Sequence, residues 1–326
     1  MIGISNGSGI YKEHKEGKQG EEPSPMQYTI FGKTGLKVSK LGLGGAPLAG
    51  DFGKTDEQEV HNLIHEAIDS GINFIDTAPL YGRGESERRI GKALADGRRN
   101  QVIIASKAVR SDLRYDYERT IRSVEESLQR LQTDRIDILQ LHDVESQPYD
   151  LIINETIPAL HKLKQDGKIR FTGVTTRKLS LLMDYMKTES FDTIQFYTRY
   201  MLIDHTAKEE VLPLAKKMGI GVINGSVLGL GLLADAAAHF LNPDILEKAA
   251  LRMEQLKFLR KTEPRGLIEP AMRFSLSNPD IQVTLTGTSK ISSLRTNLAF
   301  CDGKGLEPEE LQQVYELFHD QQLLDE

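Results

Sequence analysis

From Tyr28 onward, short apolar runs alternate with longer stretches in which apolar residues recur every three or four positions. The short runs read as buried strands and the longer stretches as amphipathic helices. Their strict alternation predicts parallel strands joined by helices. Eight strand segments stand out in order: KLGLGG (40–45), INFIDTA (72–78), VIIASK (102–107), RIDILQLH (135–142), RFTGVT (170–175), TIQFYT (193–198), GVING (221–225) and VTLTGT (283–288). Between them, Val60, Leu63, Ile64, Ala67 and Ile68 mark one helix face, with Thr55 and Gln58 as a capping box and Gly71 as the stop. Ile121, Val124, Leu128 and Leu131 mark a second face, and Ile157, Leu160 and Leu163 a third, stopped by Gly167. ILEKAALRMEQLKFLRK (245–261) reads as the helical segment before the last strand, and PEELQQVYELFHDQQLL (308–324) as a terminal helix. Eight such units in about 300 residues suit a (β/α)8 TIM barrel with a C-terminal helical extension. A doubly wound open sheet is the alternative. No composition shift marks a second domain, so residues 28–326 are expected to form a single barrel behind a polar, disordered arm at 1–27.

Composition narrows the function classes. A net charge of −6 offers no basic surface for nucleic acid or anionic membrane. The single cysteine, Cys301, rules out a disulfide framework and points to a reducing, cytoplasmic compartment. No apolar stretch is long enough to span a bilayer, and the polar N-terminus has no apolar signal core.

The chemistry lies at the strand ends, because the active site of such a barrel sits at the C-terminal ends of its strands. Three apolar runs in succession close on ionisable residues: Asp76, Lys107 and His142. Tyr81 lies on the loop after Asp76, between Pro79 and Gly82. Singly, each has an ordinary explanation: a turn aspartate, a solvated lysine, a packed histidine, a packing tyrosine. Together they compose a proton-transfer set. A phenol titrates near pKa ~10. A neighbouring ammonium is expected to lower that value, an aspartate to hold the ammonium, and a neutral histidine to orient a carbonyl oxygen. Such a set suits reduction of a carbonyl or oxidation of an alcohol, with the hydride supplied by a cofactor. A lysine at a strand end also fits a Schiff-base lyase acting through Lys107. A regulatory module that binds cofactor with little turnover is the third reading.

The segment FIDTAPLYG, followed by Lys107 in ASK and His142 in LQLH, resembles the aldo-keto reductase family, and the likeness runs from Tyr28 to Leu324. HDVE (142–145) and ETIPALHKLKQDGKIRFTGVT (155–175) are similar to its branch of L-galactose dehydrogenases and related aldose dehydrogenases. The resemblance implies a catalytic tetrad of Asp76, Tyr81, Lys107 and His142. It also implies a nicotinamide cofactor and a small-molecule substrate, a sugar or other alcohol or carbonyl compound, with pyridoxal compatible.

No dinucleotide fingerprint of the G-x-G-x-x-G kind is present, since Pro47 stands where GLGGAP would need its third glycine. Late barrel loops commonly bind phosphate instead, and GSVLGLGLL (225–233) and TGTSKISSLRTN (286–297) fit that role. The cofactor contacts implied by resemblance are Gly45, Ala46, Thr175, Thr176, Gln195, Ser226, Leu228, Gly229, Gly231, Gly287, Thr288, Ser289, Ser293 and Asn297. Ser289 is also expected to cap the helix after the last strand. Four departures from the family pattern stand out. Thr175-Thr176 replaces Ser-Asn, Gly225 replaces a stacking aromatic, Val227 replaces proline, and Ser293 stands where NADP-selective members often carry arginine. Lys290 and Arg295 are the nearby cations. The balance favours NAD over NADP, and with it the oxidative direction.

Overall fold

In a computed structural model of the chain, residues 26–319 and 321–323 are described. The arm expected at 1–27 falls almost wholly outside them. The chain opens with an antiparallel hairpin, β1 (Tyr28–Ile30) and β2 (Lys37–Ser39). Eight parallel strands follow: β3 (Leu41–Gly44), β4 (Phe74–Asp76), β5 (Ile103–Lys107), β6 (Ile136–Leu141), β7 (Ile169–Thr175), β8 (Thr193–Tyr197), β9 (Gly221–Gly225) and β10 (Val283–Gly287). They pair in chain order, and β10 pairs back with β3 to close the barrel. All eight strands expected from the apolar runs are present, and the open-sheet alternative is excluded by the closing pair.

The helices wrap the outside. They are α1 (Glu57–Asp69), α2 (Glu85–Leu94), α3 (Tyr117–Leu131), α4 (Tyr149–Leu151), α5 (Ile157–Gln165), α6 (Leu179–Lys187), α7 (Val211–Met218), α8 (Pro243–Gln255), α9 (Ile268–Leu276), α10 (Ile291–Leu298) and α11 (Pro308–Leu317). One local expectation needs correction. Asp56, not Thr55, caps α1, its carboxylate accepting from the N–H groups of Gln58 and Glu59. Thr55 is occupied elsewhere, its hydroxyl accepting from Arg89 at 2.6 Å. The segment 245–261 is helical before the last strand, as expected, but a further helix, α9, stands between the two. The segment ends as α8 at Gln255 with a single fully buried residue, Ala249, whereas α9 buries Ala271, Met272, Phe274 and Leu276 and feeds β10.

Strand alternation sorts the side chains into two layers. Phe74, Ala105, Ile138, Ile223, Val283 and Leu285 pack inside the barrel. Phe31, from the hairpin, joins them edge-on to Phe74 at 5.7 Å and plugs the N-terminal end. The plug leaves the C-terminal end as the open one. Outward residues of the same strands meet the helices, and one such contact reaches a buried ion pair. Ser106, on the outer side of β5, donates to Glu87 of α2 at 2.7 Å, and Arg130 of α3 donates to the other oxygen at 2.7 Å. Glu87 is fully buried, so it is more than the helix-dipole acid its position suggests. It fixes β5 to both helices. Glu87→Ala is expected to lower stability by about 3 kcal/mol, because a buried pair loses one partner. Chemical denaturation would read this as a lower midpoint; an unchanged midpoint would mean that the contact carries no net energy.

Candidate active site

The inward alternation of β4, β5 and β6 brings the strand-end residues to one place. Asp76 and Lys107 are 2% and 1% exposed, and the Lys107 ammonium donates to both Asp76 oxygens and to the Thr77 carbonyl, each at 2.9 Å. All three of its N–H donors are thereby used. Gln140, across from Lys107 in the β5–β6 register, adds a donor to Asp76 at 3.1 Å and another to Gln195 at 2.9 Å. Gly173 makes room for it, since a side chain there would meet the Gln140 Cγ at 2.9 Å. Burial pushes the Asp76 carboxyl up, opposed by the Lys107 ammonium and the Gln140 amide. A lysine held this way is poorly set up as a Schiff-base nucleophile.

Tyr81 reaches the same rim from a loop turned by three consecutive left-handed residues, Gly82 (φ 55°), Arg83 (φ 53°) and Gly84 (φ 90°). Its ring lies 5.1 Å from the Lys107 nitrogen and edge-on to His142 at 5.8 Å. The loop is pinned by the Asp51 carboxylate, which accepts from Gly82 N–H at 3.2 Å, and by close packing of Gly82 on Ala49. The expectation that Lys107 lowers the Tyr81 pKa is not met in this geometry. Burial, with the Asp76, Asp143 and Asp51 carboxylates, holds the phenol well above its ordinary value. The Lys107 charge is spent on Asp76 first. Tyr81 therefore carries its proton at neutral pH.

His142 is 5% exposed, and burial together with Lys107 keeps its imidazole neutral, as expected. Its Nδ1 is buried with no hydrogen-bond partner among the described residues. Placing the ring proton on Nε2 avoids an orphaned buried N–H and aims a donor into the cleft.

Next to it, Asp143 was not singled out from sequence. Burial and the charge of Glu145 raise its carboxyl to about 6. A raised acid stabilises the fold at low pH and loses that contribution as pH climbs through the raised value. Asp143→Asn is thus expected to raise stability above pH ~6 by on the order of 2–3 kcal/mol and to be neutral near pH 4. Urea midpoints compared at the two pH extremes would check this; equal effects at both would contradict it.

These groups sit at one end of a cleft of about 1260 Å³, larger than most small-molecule sites. Gly45, Ala46, Thr175, Gln195, Ser226, Leu228, Gly231, Gly287, Thr288, Ser289, Ser293 and Asn297 all line it. Thr176 and Gly229 do not. Thr176 is fully buried, its hydroxyl accepting from Lys178 N–H at 3.0 Å, and Gly229 packs toward Met201. Gly45 must lack a side chain, since a Cβ would meet Ser86 at 2.6 Å and the Asp76 carbonyl at 2.7 Å. Asn297 has a second task, donating to Thr286 at 2.5 Å and tying α10 to β10.

Two parts of the lining suit an anion. After β9, Gly229, Leu230 and Gly231 are successively left-handed (φ 60°, 56° and 91°), as is Ser226 (φ 55°). Runs of this kind turn backbone N–H groups into a concavity. After β10, α10 begins without a side-chain cap at Lys290, so Ser289 does not cap it; Thr288 instead accepts from Lys290 N–H at 3.0 Å. That leaves the first turn of α10 open to an anion. The residues thus fit a dinucleotide with its pyrophosphate at this end. Of the two nearby cations, Lys290 lines the cleft. Arg295 does not, because its guanidinium is paired with both oxygens of Glu66 on α1. Over the opening, Phe52 from the loop after β3 meets Phe240 from the loop after β9 at 5.9 Å.

A closed eight-stranded barrel with an Asp–Lys pair, a tyrosine and a neutral histidine converging at its open end is the arrangement of one class of oxidoreductase. The chain belongs to the aldo-keto reductase family: the sequence pattern of the Aldo/keto reductase family matches residues 40–318. It is 36% identical over 302 residues to L-galactose dehydrogenase of Arabidopsis thaliana, covering 89% of this chain and 93% of that protein. It is 28% identical to D-threo-aldose 1-dehydrogenase of a Pseudomonas species, covering 82% and 90%. Among solved structures, an aldo-keto reductase from Bacillus halodurans in its holo form superposes with a TM-score of 0.74 at 28% identity, covering 91% of this chain and 99% of that one. The protein is an enzyme, an oxidoreductase using a nicotinamide cofactor on a small carbonyl or alcohol substrate. Among the described residues no helix is long and apolar enough to cross a membrane.

Proposed function

We propose that this enzyme is an NAD-dependent aldose dehydrogenase that oxidises the anomeric hydroxyl of an L-galactose-like or L-fucose-like sugar. The observation that carries the reading is the convergence of Tyr81, the Asp76–Lys107 pair and neutral His142 at the head of a cleft large enough in volume for a dinucleotide. The sugar comes from the likeness to the plant and Pseudomonas dehydrogenases.

His142 Nε2 donates to the reacting oxygen and fixes it beside Tyr81. The Tyr81 hydroxyl exchanges the proton with that oxygen, giving it in reduction and taking it in oxidation. Lys107, locked by Asp76, provides the positive charge against the phenol ring, 5.1 Å from its centre. Thr175, Gln195, Ser226, Leu228, Gly231, Gly287, Thr288, Ser289 and Ser293 are the residues that would hold the cofactor, which when bound supplies the hydride acceptor. NAD is favoured over NADP because Ser293 offers no guanidinium clamp for a 2′-phosphate and Arg295 is held by Glu66.

The test is a screen of cofactor reduction, with NAD and with NADP, over aldoses, polyols and pyridoxal. NAD reduction with aldoses is expected. Turnover of pyridoxal or simple alcohols with none of any aldose would overturn the reading.

A further inference from the structure

Two charged residues at the substrate end have no partner that accounts for them. Along an extended strand, His142 and Asp143 would face opposite sides. Asp143 instead takes a left-handed conformation (φ 46°, ψ 61°), uncommon for a residue with a side chain. Its N–H donates to Thr175 Oγ1 at 2.9 Å, and the turn leaves both His142 and Asp143 lining the cleft. The Asp143 carboxylate has only a 3.4 Å contact from the Thr175 hydroxyl and stands 3.7 Å from His142 Nε2, too far for a hydrogen bond. Across the cleft wall, Arg177 packs its guanidinium over Tyr197, 5.6 Å from the ring centre, and its buried Nε has no partner among the described residues. Arg177 acts on Asp143 only through its charge, which opposes the rise of that carboxyl, and the two share no hydrogen bond. A half-buried acceptor and a half-buried donor thus face the same space without satisfying each other.

We propose that Asp143 and Arg177 are the specificity-determining pair of this site, Asp143 accepting from the substrate hydroxyl on the carbon next to the reacting one and Arg177 donating to the substrate oxygens beyond. The inference rests on the aldose dehydrogenase reading. Its chemistry follows from the two groups. An ionised carboxylate only accepts and a guanidinium only donates, so the ligand must present both donors and acceptors, as each hydroxyl of a neutral polyol does. An anionic substrate would face Asp143 and Asp51; a cationic one would face Arg177 and Lys107. Neighbouring hydroxyl oxygens of a sugar lie about a hydrogen-bond length apart, so an oxygen held by His142 sets its neighbour near Asp143. Burial first, and Glu145 second, raise this carboxyl to about 6, and Lys107, Thr175 and Arg177 only partly offset them.

The test compares kcat and KM for L-galactose and 2-deoxy-L-galactose at saturating NAD, in the wild type, Asp143→Ala, Asp143→Asn and Arg177→Gln. The wild type should prefer L-galactose by at least about tenfold in kcat/KM, mostly through KM. Asp143→Ala should bring that ratio close to one, because only the parent sugar has a contact to lose, and Asp143→Asn should keep part of it. Arg177→Gln should raise KM for both sugars. Calorimetric NAD affinity within about threefold of wild type would show that the variants are folded. Equal use of both sugars by the wild type, or an Asp143→Ala that lowers both in equal proportion, would overturn the proposal while leaving the function standing. Absence of NAD reduction with L-galactose and every other aldose in the wild type would instead bring down the function on which it rests.

Discussion

Tyr81→Phe is expected to lower kcat by about 10²–10⁴-fold while leaving cofactor affinity nearly unchanged. The substitution removes one oxygen and no packing: the ring keeps its edge-on contact with His142 and its place 5.1 Å from the Lys107 nitrogen. On the proposed mechanism, what is lost is the group that exchanges the proton with the reacting oxygen. The raised phenol adds a pH signature. Because burial and the Asp76, Asp143 and Asp51 carboxylates favour neutral Tyr81, the reductive direction finds its proton in place at neutral pH. The oxidative direction needs the phenolate, so its rate should climb with pH across the neutral and mildly alkaline range. Steady-state rates in both directions and titration of NAD onto the variant would check both points. Full turnover in Tyr81→Phe would remove Tyr81 from the mechanism.

Lys107→Met should both abolish turnover and lower stability by about 3–5 kcal/mol, the range for stripping one partner from a buried ion pair. Asp76 would keep only the Gln140 and Gln195 side-chain amides, and the Thr77 carbonyl would lose its donor. The double variant Asp76→Asn/Lys107→Met separates the two effects. With the carboxylate neutralised, most of the lost stability should return, because the uncompensated charge is gone. Turnover should not return, since the cation against Tyr81 is still missing. Denaturation midpoints alongside kcat for the three variants make the comparison. A double variant no more stable than Lys107→Met would mean that the stranded carboxylate is not the source of the instability.

Pattern alone was enough for the frame. The eight strands could be read from the sequence because each is apolar on both faces, the inner layer filling the barrel and the outer meeting helices. The cluster at the rim was legible for a related reason. Asp76, Lys107 and His142 break apolar runs at their ends, and a polar residue there has little packing explanation. Other features had no such signal. Glu87 carries no sequence signal of its buried pair, because its partners Ser106 and Arg130 come from elements 19 and 43 residues away. Arg295 looked available for a phosphate until α10 packed beside α1 and gave it Glu66. Thr176 looked like its neighbour Thr175, yet one residue of strand alternation puts the two on opposite sides.

By itself, then, the sequence determined the barrel and the identity of the residues at its rim, since periodicity and chain order are local properties. Only the tertiary structure decided the states of those residues. Whether Tyr81 holds its proton, whether His142 is neutral, and whether Asp143 and Arg177 are left without partners depend on burial and on charges brought together from distant segments. Those interactions act through space within a few ångströms, and the linear order of the chain does not encode that distance.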